Sequence, residues 1–147
     1  MRKSGWLLFS KHEVEVTETI ESKNKKLVLD AFEAAFNQRD PGAYDRYWSP
    51  DYIQHSAHIA PGRDGLRDLI ASLPAELKYE HELIVAEGEF VIVHGRFSGF
   101  QKAAWIVADI LRIRDGMLAE HWDVIQDEAT RESSKSGRPM FGESFPQ

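Results

Sequence analysis

The apolar positions divide the chain into a helical half and a strand half. From Asn24 the segment NKKLVLDAFEAAFNQRD places Leu27, Val28, Ala31, Phe32, Ala35 and Phe36 at spacings of one, three and four, which is one stripe along a helix. DPGAYDRYWSP predicts a short second helix, with Asp40 as its N-cap, Pro41 in its first turn, Tyr44, Tyr47 and Trp48 on one side, and Pro50 as its stop. DYIQHSAHI predicts a short strand running into a loop. GRDGLRDLIASLP predicts a third helix ended at Pro74, with Leu66, Leu69, Ile70 and Leu73 as its buried stripe.

After Pro74 the period drops to two. LKYEHELIVAE, EFVIVHGRFSGF, AAWIVADILRIR and MLAEHWDVIQ read as four strands, joined at Glu87-Gly88, Ser98-Gly99 and Asp115-Gly116 into an antiparallel meander. Helices followed by such a sheet predict an α+β domain with the helices on one face and a cavity between the layers. Residues 1–22 have no clear period and are expected to form an extension. Residues 23–130 are expected to form the domain. Residues 131–147 are polar apart from Met140, Phe141 and Phe145, and are expected to be a tail whose few apolar residues are available to dock, at its own pocket or a partner's.

Bulk properties narrow the functions. A chain of 147 residues suits one domain with its own core. Without cysteine it has no disulfide, thiolate metal site or cysteine nucleophile, and a reducing, cytoplasmic setting is expected. A net charge of -6, with bases interspersed among acids, argues against nucleic acid as a partner. The opening MRKSGWLLFS has an apolar run too short for a signal peptide, and no run approaches the ~20 residues of a membrane helix, so no membrane partner is expected. No phosphate loop, dinucleotide fingerprint or nucleophile elbow occurs, and no cofactor is implied.

The element order, with the pieces YIQH, GRDGL, VADILRIRDG and EHWDVIQ, resembles the SnoaL-like polyketide cyclases of the nuclear transport factor 2-like superfamily over about residues 24–127. The resemblance implies a cone-shaped fold, a homodimer through the outer side of the sheet, and a pocket between sheet and helices. It also implies an intramolecular aldol closure without metal or organic cofactor, in which the aspartate matching Asp123 serves as acid/base. Isomerisation and hydration belong to the same chemistry. The alternative is a non-catalytic module that holds a small ligand in the same cavity.

The residues themselves pose a geometric question. Alternation puts Trp105, Val107, Asp109, Leu111 and Ile113 on one face of their strand, and His121, Asp123 and Ile125 on one face of the next. A two-residue Asp115-Gly116 turn pairs Arg114 with Met117 and sends Asp123 to the face opposite Asp109. A three-residue turn with a left-handed Gly116 pairs Ile113 with Met117 and sets Asp109 beside His121. The second register is the expectation, because it gathers Asp109, His121 and Asp123 where each can satisfy another. In an apolar hollow an aspartate carboxyl is raised toward neutral pH and can act as a base alpha to a carbonyl. Asp123 is the expected acid/base and His121 its partner, with Asp109 and His55 in support. Gln54 and His94 are further donors, and Trp105, Trp122 and Tyr47 are aromatic walls. Each of these also has a structural alternative as a core or interface residue. In HSAH, His55 and His58 fall on opposite faces of a strand, so no metal site is expected there.

Overall fold

A computed structural model describes residues 17–147, so the first sixteen residues of the expected extension lie outside the described part. Thr19 Oγ1 accepts from the Ser22 amide at 3.1 Å and starts helix α1 (Ile20–Phe32). The helix therefore begins ahead of Asn24, where the apolar stripe begins, because a capping hydroxyl rather than an apolar residue sets its start. Buried Asn24 donates to Gly88 O at 3.0 Å and ties α1 to the sheet.

The helix then widens into a single π turn, Glu33–Asn37, closed by Gln38 N donating to Glu33 O at 3.0 Å. Asn37 leaves this turn as a substitute strand: its Oδ1 accepts from Tyr79 N at 2.8 Å and its Nδ2 donates to Tyr79 O at 3.1 Å. Arg39, in the left-handed region at φ 51°, ends the run. Its guanidinium donates to Ile70, Leu73 and Pro74 carbonyls at 2.6–2.7 Å. Those are the orphan acceptors after helix α3 (Gly62–Ser72).

Helix α2 (Ala43–Tyr47) is shorter than the pattern suggests. Asp40 does not cap it directly but folds the approach, its Oδ1 accepting from Gly42 N at 2.8 Å. Strand β1 already begins at Trp48 (Trp48–Gln54), so Pro50 lies inside a strand instead of stopping a helix. The sheet tolerates it because β1 is an edge strand and its register against its neighbour breaks between Trp48 and Ile53.

The meander forms as expected: β2 (Lys78–Glu87), β3 (Phe90–Ser98), β4 (Trp105–Arg114) and β5 (Met117–Asp127). β1 adds in parallel beside β5, giving a five-stranded sheet of order β1-β5-β4-β3-β2. The helices cover its inner face, where Val91, Val93, Leu111 and Leu118 are wholly buried. At Gly95 an added Cβ would meet Tyr79 Cε2 at 2.8 Å, so glycine there lets the Tyr79 ring lie flat on β3.

The β4–β5 turn corrects the expected register. Asp115 and Gly116 have φ of 52° and 71°, a two-residue turn that pairs Arg114 with Met117. Alone it would turn Asp123 outward. One residue later the ladder shifts: Ile113 pairs with Leu118 and Arg112 with Glu120, leaving Ala119 as a bulge. The bulge restores parity, so Asp109 stands opposite Asp123, not His121, and Leu111 stands opposite His121. Because the turn holds two residues at positive φ, Gly116→Ala is expected to cost about 1–2 kcal/mol. Urea unfolding measures it, with an unchanged m-value; full stability in that variant would show that the turn is not held this way.

Candidate active site

Between helices and sheet lies a cavity of about 220 Å³. Phe32, Phe36, Phe97, Phe100 and Trp105 form its aromatic wall, and Leu66, Leu69 and Leu73 of α3 close another side. Its polar end is built by β1, β4 and β5, which bring Tyr52, Gln54, Asp109, His121 and Asp123 together. The volume is below the roughly 300–1,000 Å³ usual for drug-sized ligands, so it suits a small molecule or the end of a larger one. Through shared lining at His58, Trp105 and Ile125 it adjoins a wider polar trough of about 1640 Å³, bordered by residues 98–104, 126–132 and 144–147.

At the polar end His121, 5 % exposed, is held by both ring nitrogens: Nε2 lies 2.8 Å from Asp109 Oδ1 and Nδ1 lies 2.7 Å from Gln54 Oε1. The backbone fixes which way protons run. Ser56 N can only donate, and it donates to Gln54 Oε1 at 2.9 Å. That amide oxygen is therefore an acceptor, so His121 donates from Nδ1. A proton must then also lie between Nε2 and Asp109 Oδ1, two atoms that would otherwise both be acceptors.

Asp109 is 4 % exposed, and its Oδ2 is buried with no hydrogen-bond partner among the described residues. Burial pushes its carboxyl above the ordinary carboxylate range, with the hydrogen bond to His121 opposing the rise and the charge of Asp123 adding to it. Burial therefore favours the protonated Asp109 carboxyl, with its hydrogen bond directed along the line to His121 Nε2. Asp123, half-buried on the cavity wall, makes no side-chain hydrogen bond among the described residues. It is the open carboxyl of the pair.

Of the residues singled out from sequence, Asp109, His121, Asp123, Gln54 and Trp105 line the cavity. His55, Trp122, His94 and Tyr47 do not. Alternation puts His55 and Trp122 on the outer side, where their rings stack at 4.8 Å and His55 Nε2 meets Glu120 Oε1 at 2.8 Å. Glu120 also accepts from Arg112 Nη1 at 2.6 Å, and the Arg112 guanidinium lies over the Phe90 and Trp122 rings. His94 is on the outer face of β3 against Phe141 of the tail, ring centres 5.6 Å apart. Tyr47 ends α2 beneath Arg46 and packs against the core. Tyr52 was missed, although strand alternation in DYIQ already places it with Gln54. His58, also missed, lies at the mouth against Trp105.

Asp109, His121 and Asp123 each bring a possible ligand atom within 4.8 Å of the others, as a small metal site would require. With both His121 nitrogens engaged, a cation would have to displace Asp109 or Gln54 to use the ring. The arrangement is better fitted to moving protons than to holding an ion.

Residues 28–121 match the SnoaL-like domain family. Among solved structures, TsrD from Streptomyces laurentii is 27 % identical, with a TM-score of 0.64 over 74 % of this chain and 92 % of that one. AclR, a candidate hydroxylase from Streptomyces galilaeus, is 25 % identical, with a TM-score of 0.59 over 72 % and 90 %. A candidate SnoaL-like polyketide cyclase from Jannaschia sp. CCS1 shares the fold at 18 % identity, with a TM-score of 0.64 over 75 % and 90 %. No curated protein matches the chain.

The proton assignment predicts an asymmetry between two substitutions. Asp109→Ala leaves His121 Nε2 buried and unpaired and is expected to cost about 1–3 kcal/mol. Asp109→Asn, which can still donate to that nitrogen, should cost far less in the same urea titration. The folded carboxyl keeps a proton where the unfolded one has lost it, so the unfolded state binds fewer protons there. Wild-type stability relative to Asp109→Asn is thus expected to fall as pH rises from about 4 through the raised folded value. An opposite slope would place a charged carboxylate at Asp109.

Proposed function

The chain belongs to the SnoaL-like domain family, and from that premise we propose that its cavity binds a small carbonyl compound and moves a proton on the carbon beside the carbonyl. One observation carries the reading: an open carboxyl, Asp123, sits on the wall of an apolar hollow, opposite a second, buried carboxyl, Asp109, that is hydrogen-bonded to His121. Two adjacent carboxyls in an apolar site divide into a base and a neutral donor because both cannot be ionised cheaply.

Asp123 takes the α-proton, the C–H electron pair becomes the carbon–carbon double bond of an enolate, and the carbonyl π pair moves onto oxygen. Returning the proton to another carbon of the conjugated system isomerises the compound. Attack of the enolate carbon on a second carbonyl of the same molecule closes a ring, and the new alkoxide takes the proton back. Addition of water across an activated double bond uses the same groups. None of these steps needs an oxidant or a reductant. His121 and Asp109 stabilise the local charge by holding one proton between them. A cysteine-free chain acting on a diffusible ligand suits a cytoplasmic setting.

Exchange of substrate α-hydrogen into deuterated solvent tests the reading, using compounds first selected by thermal shift from small ketones, aryl methyl ketones and arylacetaldehydes, all of which carry α-hydrogens. Asp123→Asn is expected to lower the exchange rate by roughly 10²–10⁴-fold while leaving ligand affinity within a few-fold. Wild-type protein that binds such compounds and exchanges nothing would be a binding module instead.

The outer sheet face supports a second part of the proposal, a homodimer. Leu83, Val85 and Val124 are more than half exposed there, and Ile92 is 43 % exposed. Side by side on one face, such residues favour burial against a second copy. Light scattering at micromolar protein should give a dimer for the wild type and a monomer for the pair Ile92→Lys and Val124→Lys. A wild-type monomer would remove this part.

A further inference from the structure

An enolate needs a hydrogen-bond donor at its oxygen, and the polarity of the β1 network points to one that the sequence reading passed over. Resting on the reading above, we infer that Tyr52 donates to the carbonyl oxygen of the bound ligand, held in that direction by Gln54. Ser56 N is a backbone donor and makes Gln54 Oε1 an acceptor. The other end of the same amide is therefore Nε2, which donates to Tyr52 Oη at 3.1 Å. The phenol oxygen is thus already an acceptor, and its own proton must go elsewhere.

Among the described residues the hydroxyl has one hydrogen-bond partner, the Gln54 amide that donates to it, and no acceptor for its own proton. Tyr52 is 5 % exposed and lines the cavity. Burial pushes its phenol above the ordinary tyrosine range, and the nearby Trp48 indole and Gln54 oppose the rise. It therefore stays protonated, close to both carboxyls, as a donor should. The other polar groups of this end are committed: His121 uses both nitrogens, and the Asp109 proton is directed at His121. Ser56 Oγ, which accepts from His58 N at 3.2 Å, can rotate freely and is not aimed by a partner in the same way.

Gln54 is then a positioning residue with two outputs. One amide sets the tautomer of His121 through its oxygen and the direction of the Tyr52 hydroxyl through its nitrogen. Reversing that amide would be resisted by the Ser56 N–H, so base and donor keep their roles whether or not a ligand is present.

The test uses 4-nitrophenolate as a stable enolate mimic, its absorbance reporting the bound anion, and nitrobenzene as a counterpart without the oxyanion. Both are titrated calorimetrically into wild-type protein and Tyr52→Phe, with thermal unfolding as a check that the ring still packs. Tyr52→Phe should bind the phenolate roughly 10- to 100-fold more weakly, as expected for one hydrogen bond to a charged acceptor, and nitrobenzene within about twofold of wild type. Equal losses for both probes, or none for either, would overturn the donor assignment, and so would a wild-type cavity that takes neither. The exchange assay separates this from the wider reading. Deuterium exchange that depends on Asp123, with no selective phenolate loss in Tyr52→Phe, removes only the donor. Selective phenolate loss without any exchange keeps the donor and removes the catalysis.

Discussion

Two carboxyl groups facing each other across adjacent strands, inside an apolar hollow, cannot both carry a charge at modest cost. The rest of the polar end follows from that constraint. Asp109, the more buried of the two, is pushed by burial toward its protonated form and is hydrogen-bonded to His121, while Asp123 stands open on the cavity wall. His121 donates from its other nitrogen, and Gln54 accepts because a backbone amide leaves it no other orientation. Aromatic and aliphatic walls supply no competing dipoles, which makes this ordering of protons worth more than it would be in water.

The fold delivers these groups from three strands that meet only in the folded chain. β1 joins the sheet as a parallel edge beside β5, which sets Gln54 next to His121, and its break around Pro50 occurs where an edge can absorb it. Asn37, leaving the π turn, binds the Tyr79 backbone and locks the first helix against β2. Arg39 caps the end of α3, whose leucines close the hollow. Each contact uses backbone hydrogen-bonding groups, so the hollow's shape is fixed by those bonds and not by side-chain packing alone.

The sequence made much of this legible and left specific parts out, for physical reasons. Strand period two placed Asp109 and His121 with Asp123 on faces that could coincide, and the same rule, applied to DYIQH and EHWD, sets Tyr52 with Gln54 and turns His55 and Trp122 away. The turn at Asp115-Gly116 was misread because its two residues are compatible with either length, and the choice between them depends on a bulge that has no local signature. A spacing of three and four cannot distinguish an α turn from the wider turn at Glu33–Asn37. The direction of the Gln54 amide needs the Ser56 backbone in space, and no pattern of residue types contains it.

Ala119 matters for how this hairpin can vary by descent. Loss of its codon would turn the bulge into regular ladder, with Ile113 still on Leu118, Arg112 still on Glu120 and Asp109 still on Asp123, so both acids would keep their face. A one-residue deletion at this point is therefore tolerated with no compensating change in the turn, and the spare residue gives the hairpin room to vary in length.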